Sequence, residues 1–236
     1  MFTRSFKLAC LIVFAGHAAS ASELTLMTEE YPPYNYKSEN GISGFGAEQV
    51  FEIMKRADLG YEVELTRWSR AIGSARKKPA TCVFSTFRTP SREADFRWIG
   101  PLSVDRALLI KRQDSDLTLE SLDDALGYSV GTQKGEFTVG ILEAAGFKGI
   151  EQAATMADAL KKLLVGRNDL MAVPEPYFER LQEEGVPVSS AFVLPELQVA
   201  LACNPKTDPD HLLRMQQALD SMIEDGTQRA IQSRYE

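Results

Sequence analysis

The chain has 236 residues, 44% of them hydrophobic and 25% charged. That composition belongs to a globular protein and excludes a disordered chain, a collagen and a coiled-coil rod. With 26 Lys and Arg against 33 Asp and Glu the formal charge is −7, so no global attraction draws it to nucleic acid or an anionic membrane.

Arg4 and Lys7 precede an apolar run, Leu8 to Ala15, that is too short to span a bilayer. Ala19-Ser20-Ala21 then offers a small-x-small cleavage pattern. Residues 1–21 are therefore predicted to be a signal peptide cut after Ala21, which exports the chain. Cleavage leaves 24 basic and 33 acidic residues, a charge of −9, with one His (His211) and two Cys (Cys82 and Cys203). These are too few for a multi-ligand zinc or iron–sulfur centre, so no metal and no cofactor is expected. Triad chemistry would have to run through His211, which follows Asp208-Pro209-Asp210 at a helix start and reads as a solvated surface residue.

Beyond Ala21, strands and helices alternate. Leu24 to Met27 reads as a strand, and Ala47, Val50, Phe51 and Met54 mark an amphipathic helix closed by Gly60. Tyr61 to Leu65 is a strand, Ser69 to Arg76 a short helix and Thr81 to Phe84 a third strand. A second unit follows, with a strand at Val130 to Thr132 and a helix over Glu136 to Ala145. A further helix carries Ala157, Leu160 and Leu164 and stops at Gly166-Arg167. Leu170 to Val173 is a strand, Tyr177 to Glu184 a helix and Val199 to Cys203 a strand. Leu212, Met215, Leu219 and Met222 then share one face of a closing helix. This order predicts an α/β protein of two lobes, each a mostly parallel sheet flanked by helices. Lys111 to Ser115 and Leu194 to Gln198 are the expected crossings between them.

Gly41-x-x-Gly44-x-Gly46 lacks the dinucleotide-binding order, and no phosphate loop of the Walker type is present. Arg76-Lys77-Lys78 is a helix-end cap in an acidic protein. Three other segments carry chemistry. They are Glu29 to Tyr36 with Tyr31 and Tyr34, then Trp68-Ser69-Arg70, then Thr86 to Glu93 with Phe87, Arg88 and Arg92. Each follows a strand, at the carboxyl edge where open α/β sheets place their ligands. Thr89-Pro90 reads as an N-cap and first helical residue, aiming free N–H groups at the same rim. Aromatic faces beside guanidinium groups describe a site for a small anion or zwitterion.

From about Leu24 onward the chain resembles the bacterial extracellular solute-binding proteins of the polar amino-acid type, the receptors of ABC importers. The likeness rests on Tyr31-Pro32-Pro33-Tyr34, Gly44-Phe45, Trp68, Arg88-Thr89-Pro90-Ser91-Arg92-Glu93 and Phe96-x-x-Ile99-Gly100-Pro101. It continues through Gly131-x-x-Lys134-Gly135, Ala159-Leu160 and Gly166-Arg167-Asn168-Asp169. The resemblance implies a two-lobed periplasmic-binding-protein fold with two hinge crossings and a ligand cleft between lobes. The first lobe would be 22–110 plus 197–236 and the second 111–196. It also implies a periplasmic monomer that hands a small carboxylate-bearing solute, an amino acid in the first instance, to an inner-membrane ABC permease.

Carried over by position, Arg92 matches the Arg that clamps the ligand carboxylate, and Tyr31 and Trp68 match the aromatics around it. Glu136 and Phe137 match the second-lobe turn. Phe87 stands where such receptors carry a Thr, and Arg88 is an extra cation. Near Pro174, where an Asp receives the ammonium, this chain has Glu175. Glu175, or Glu29 or Glu30 from the first lobe, is left to take that part, and a carboxylate ligand without an amine stays open. A periplasmic enzyme on the same scaffold, like a cyclohexadienyl dehydratase, is the alternative, with Glu175 or Glu30 as its acid; a ligand-loaded sensor for a membrane receptor is another. Cys82 and Cys203 fall on strands that this fold sets side by side. Export permits a bridge, while two separately buried thiols is the favoured reading.

Overall fold

The computed structural model describes residues 24–39 and 41–235; the signal peptide expected over 1–21 lies outside the described residues. The first strand, β1 (Leu24–Thr28), is apolar on both faces: Leu24 and Leu26 join the main core, while Met27 joins Trp68, Ala71 and Val83 on the other side. A hairpin of β2 (Tyr36–Ser38) and β3 (Gly41–Ser43) leads into α1 (Phe45–Ala57). Then come β4 (Tyr61–Leu65), α2 (Trp68–Lys77), β5 (Thr81–Phe87) and β6 (Arg97–Asp105). The middle of the chain supplies β7 (Ala107–Arg112), β8 (Val130–Gln133), α3 (Phe137–Ala144), β9 (Ile150–Ala153) and α4 (Met156–Leu164). It ends with β10 (Leu170–Pro174), α5 (Glu175–Glu183) and β11 (Val188–Val193). The chain then returns as β12 (Leu197–Cys203), α6 (Pro209–Glu224) and α7 (Thr227–Gln232).

Two five-stranded sheets result, ordered β4-β1-β5-β12-β6 and β11-β7-β10-β8-β9. Each is mixed, with one reversed strand. β12 runs antiparallel to β5 and β6, and β7 runs antiparallel to β10 and β11. Those two strands are the ones by which the chain enters each lobe from the other. The first passage is therefore Arg106, between β6 and β7, and not the polar stretch Lys111 to Ser115. Residues 107–110, expected in the first lobe, belong to the second sheet. Ala107, Leu108, Leu109 and Ile110 are all buried there, and Lys111 instead holds a local turn by donating to Ser115 O and Leu117 O. The second passage runs through Leu194, Pro195 and Glu196.

α6 packs on α1, and Arg56 ties them by donating to Ser221 Oγ (3.0 Å), Asp225 (2.7 Å) and Thr227 Oγ1 (2.8 Å). His211 is buried, contrary to the expectation of a surface residue. It precedes Met215, Ala218 and Met222 at helical spacing, on the core face of α6. Cys82 and Cys203 are register partners on β5 and β12 and form a disulfide, which corrects the reading as separate thiols. No helix starts at Thr89-Pro90. The Thr89 hydroxyl pairs with Ser91 Oγ (3.0 Å), and only a 3-10 turn at Glu93–Asp95 follows, because seven residues separate Thr89 from β6. The rim consequently lacks the helix N-terminus expected there.

Candidate functional site

The ends of β1, β4 and β5 in one lobe face the end of β8 and the starts of α3 and α5 in the other. Thr28 ends β1, and Glu29 and Tyr31 follow it; Trp68 opens α2, three residues beyond the end of β4; Phe87 ends β5, with Arg92 in the turn beyond. Across the gap stand Gln133, the last residue of β8, then Gly135, Glu136 and Phe137, and Tyr177 on α5. Glu29, Tyr31, Trp68, Phe87, Arg92, Gln133, Glu136, Phe137 and Tyr177 are all buried.

The lobes meet through specific contacts. Arg92 donates Nη2 to the carbonyl of Gly135 (2.7 Å) and Nη1 to that of Phe87 (3.2 Å), and its guanidinium lies 5.6 Å over the Trp68 ring. Trp68 Nε1 donates to the same Gly135 carbonyl at 2.8 Å. Gly135 presents that oxygen from a backbone with φ +77°, a conformation that suits glycine. Phe87 stacks on Phe137 with centroids 3.8 Å apart, and Tyr31 stacks on both Tyr34 (5.4 Å) and Tyr177 (6.0 Å). Gln133 donates its amide to the Glu29 carboxyl across the gap.

Burial sets the electrostatics. It pushes Glu29 up to about 8, with the charge of Glu136 adding to the rise and the Gln133 amide opposing it. Glu136, the N-cap of α3, accepts the Phe137 N–H at 2.9 Å; burial raises its carboxyl, against the pull of Arg92. Burial draws Arg92 down to about 10, against the attraction of Glu136. The site thus holds one guanidinium and two acid groups away from water. Arg92 has five N–H donors, so its two carbonyl contacts leave capacity for a carboxylate.

Three of the expected residues, Arg88, Glu175 and Tyr34, do not line the gap. Arg88, one position beyond the inward Phe87, points to the opposite face and forms a two-bond pair with Glu93 (2.8 and 2.6 Å) beside the Trp98 ring. Glu175 makes a two-bond pair with Arg106 at the first passage (2.7 and 2.8 Å), so its carboxylate is already engaged. Tyr34 is fully buried behind Tyr31 and supports it rather than lining the gap. Gln133 and Tyr177 were not anticipated. Gln133 directly precedes the Lys134-Gly135 step used for the resemblance, whereas Tyr177 carried no signal beyond a helix start. A larger cavity, about 660 Å³, lies elsewhere, against Pro33, Asp105, Glu179 and Tyr235. It is acidic, no Lys or Arg among the described residues lines it, and it is separate from the cluster above.

The model of the bacterial extracellular solute-binding proteins, family 3, matches residues 24–236. The chain is 25% identical over 220 residues to the L-cystine-binding protein TcyA of Bacillus subtilis, covering 90% of this chain and 80% of that one. Among solved structures, a histidine kinase sensor domain similar to periplasmic binding proteins superposes with a TM-score of 0.82 at 20% identity, covering 91% of this chain and 96% of its own. A mutant of ArgBP from T. maritima gives 0.80 at 19% identity, covering 90% and 94%. The aromatic gap with its buried Arg92 therefore sits in a periplasmic-binding-protein fold, and the chain belongs to the bacterial extracellular solute-binding proteins of family 3.

Proposed function

We propose that this protein is a periplasmic receptor that closes on a small α-amino acid and delivers it to an inner-membrane ABC permease. One observation carries the reading: a buried guanidinium, Arg92, lies between the lobes under the attraction of the buried Glu136, and Glu136 in turn acts on a second buried acid, Glu29 of the first lobe. Buried charges are costly unless they are paired. A zwitterion supplies both partners, its carboxylate meeting Arg92 and its ammonium meeting Glu29 or Glu136. Tyr31, Trp68, Phe87, Phe137 and Tyr177 keep water out, which strengthens those contacts. Membership of the family and the cystine-binding relative support the ligand class. Contacts to both lobes favour the closed form, which is the form a permease reads.

Thermal melts of the purified protein against the twenty amino acids and a set of amine-free acids test this. A ligand at a hundred times its dissociation constant adds about 2.7 kcal/mol, a rise of roughly 5–11 °C for a chain of this size. The expected result is a rise with at least one amino acid that Arg92→Ala abolishes. Rises with amine-free acids alone overturn the amino-acid reading.

A second reading, an enzyme of the dehydratase kind, is favoured by the burial of Glu29 in the gap. Glu29 holds its proton to about 8 in a desolvated gap, as a general acid must. Turnover of prephenate or arogenate, lost in Glu29→Gln, would establish it; no turnover removes it.

A further inference from the structure

A second space opens beside the aromatic cluster. A cavity of about 550 Å³ lies between the lobes and shares Glu29, Gln133 and Tyr177 with the site described above. Leu65 from the first lobe and Met156 from the second give it apolar walls. Two guanidinium groups from opposite lobes line it as well: Arg67, which precedes Trp68, and Arg180, one helical turn beyond Tyr177 on α5.

Neither cation is fully engaged. The Arg67 side chain is exposed and makes no hydrogen bond or ion pair among the described residues. Arg180 gives Nη1 to Glu184 (2.5 Å) and lies 5.1 Å over the Tyr177 ring, while its buried Nε has no partner among the described residues. Two acids also line the space. Both oxygens of Glu30 accept the Lys37 N–H, at 3.1 and 3.2 Å, and the Glu29 carboxyl accepts the Gln133 amide. Arg67 thus stands without a partner among the described residues, and Arg180 keeps a free Nε beside its pair with Glu184.

We propose that this cavity is the side-chain subsite of the cleft and selects an amino acid whose side chain has an apolar stem ending in a carboxylate. The proposal rests on the amino-acid reading above. With the α-carboxylate on Arg92, the side chain passes Tyr177 and runs along Leu65 and Met156. Its terminal carboxylate then meets Arg67 and Arg180, and Arg can bind such a group through two parallel hydrogen bonds. A lysine or arginine side chain would bring a third cation against those two in a partly desolvated space, which disfavours it.

Isothermal titration with L-2-aminoadipate, L-norleucine and L-lysine tests the assignment, since the three share an unbranched stem and differ at its end. The expected order is aminoadipate at least tenfold tighter than norleucine, a gap of 1.4 kcal/mol, with lysine the weakest. In the Arg67→Gln/Arg180→Gln double variant the ratio of aminoadipate to norleucine affinity falls below threefold. Arg67→Gln alone, at an exposed position, gives a partial fall and guards against a folding defect. Lysine binding as tightly as aminoadipate, or a ratio that survives the double substitution, overturns the proposal. If no amino acid binds, the amino-acid reading has failed, and adipate against hexanoate in the same two proteins tests the subsite alone. Binding by none of these overturns both.

Discussion

Replacing Glu29 with Gln should flatten the dependence of stability on pH between about 5 and 8. Burial first, then the Glu136 charge, raises the Glu29 carboxyl from its ordinary 4.5 to about 8. Between those values the native protein holds a proton that the unfolded chain has released. Stability therefore falls as pH rises through this window and levels off above about 8. At 1.36 kcal/mol per unit the full loss is about 5 kcal/mol. That is a ceiling, because the lobes can part and let water reach the ionised carboxylate at the lower cost of opening. Gln is a neutral isostere whose carbonyl still accepts the Gln133 amide, so the variant keeps the contact and loses the titration. Urea unfolding of both proteins at pH 5, 6, 7 and 8 isolates this group, since all other titrations are common to the pair. The variant should gain on the parent by a few kcal/mol from pH 5 to pH 8. A difference constant to within about 0.5 kcal/mol across the series would refute burial as the cause of the shift.

Further outcomes follow from the same geometry. Gly135→Ala should cost about 1–2 kcal/mol by urea unfolding: its φ is +77°, and the added Cβ would lie 3.7 Å from Trp68, an ordinary contact, so the cost is conformational. An effect under 0.3 kcal/mol would mean that the turn relaxes at no cost. Reducing Cys82–Cys203, which closes a loop of 121 residues, should lower stability by about 4–5 kcal/mol. Two alkylatable thiols in the untreated, exported protein would disprove the bridge. Phe87→Ala removes a buried ring stacked on Phe137 and should cost about 3 kcal/mol. A loss below 1 kcal/mol would show that the stack contributes little to holding the lobes together.

The alternation of strands and helices was legible because each element carries its own period: β1 is apolar on both faces, and α1 repeats Val50, Ile53, Met54 and Ala57 along one side. The reversal of β7 and β12 was not, since strand direction is decided by pairing with distant partners. The crossing was misplaced for a related reason. Arg106 is one charged residue between two strands, whereas the polar stretch 111–115 looks like a linker until Lys111 is seen holding its own turn. By position Arg92 matches a carboxylate clamp, and it is buried between the lobes against Gly135 and Trp68. Arg88, the extra cation beside it in sequence, is taken by Glu93. Glu29 and Glu175 differ in the same way, one facing the gap and the other held by Arg106. Local sequence offers charged groups; which of them is already satisfied is settled by tertiary contacts.

That single linking residue also sets the mechanics of the molecule. β6 is paired with β12 up to Asp105, and β7 is paired with β10 from Ala107, so a change in lobe angle concentrates in the torsions of Arg106 and of the short return passage. Arg106 is gripped twice by one neighbour: its carbonyl accepts the Glu175 N–H at 2.9 Å, and its guanidinium holds the Glu175 carboxylate. Glu175 opens α5, the helix that two residues later carries Tyr177 into the gap. The crossing between the lobes and one wall of the gap are thus joined through a single helical turn. In the receptor proposed above, a ligand that displaced the Tyr177 ring would be felt first at Arg106, through Glu175.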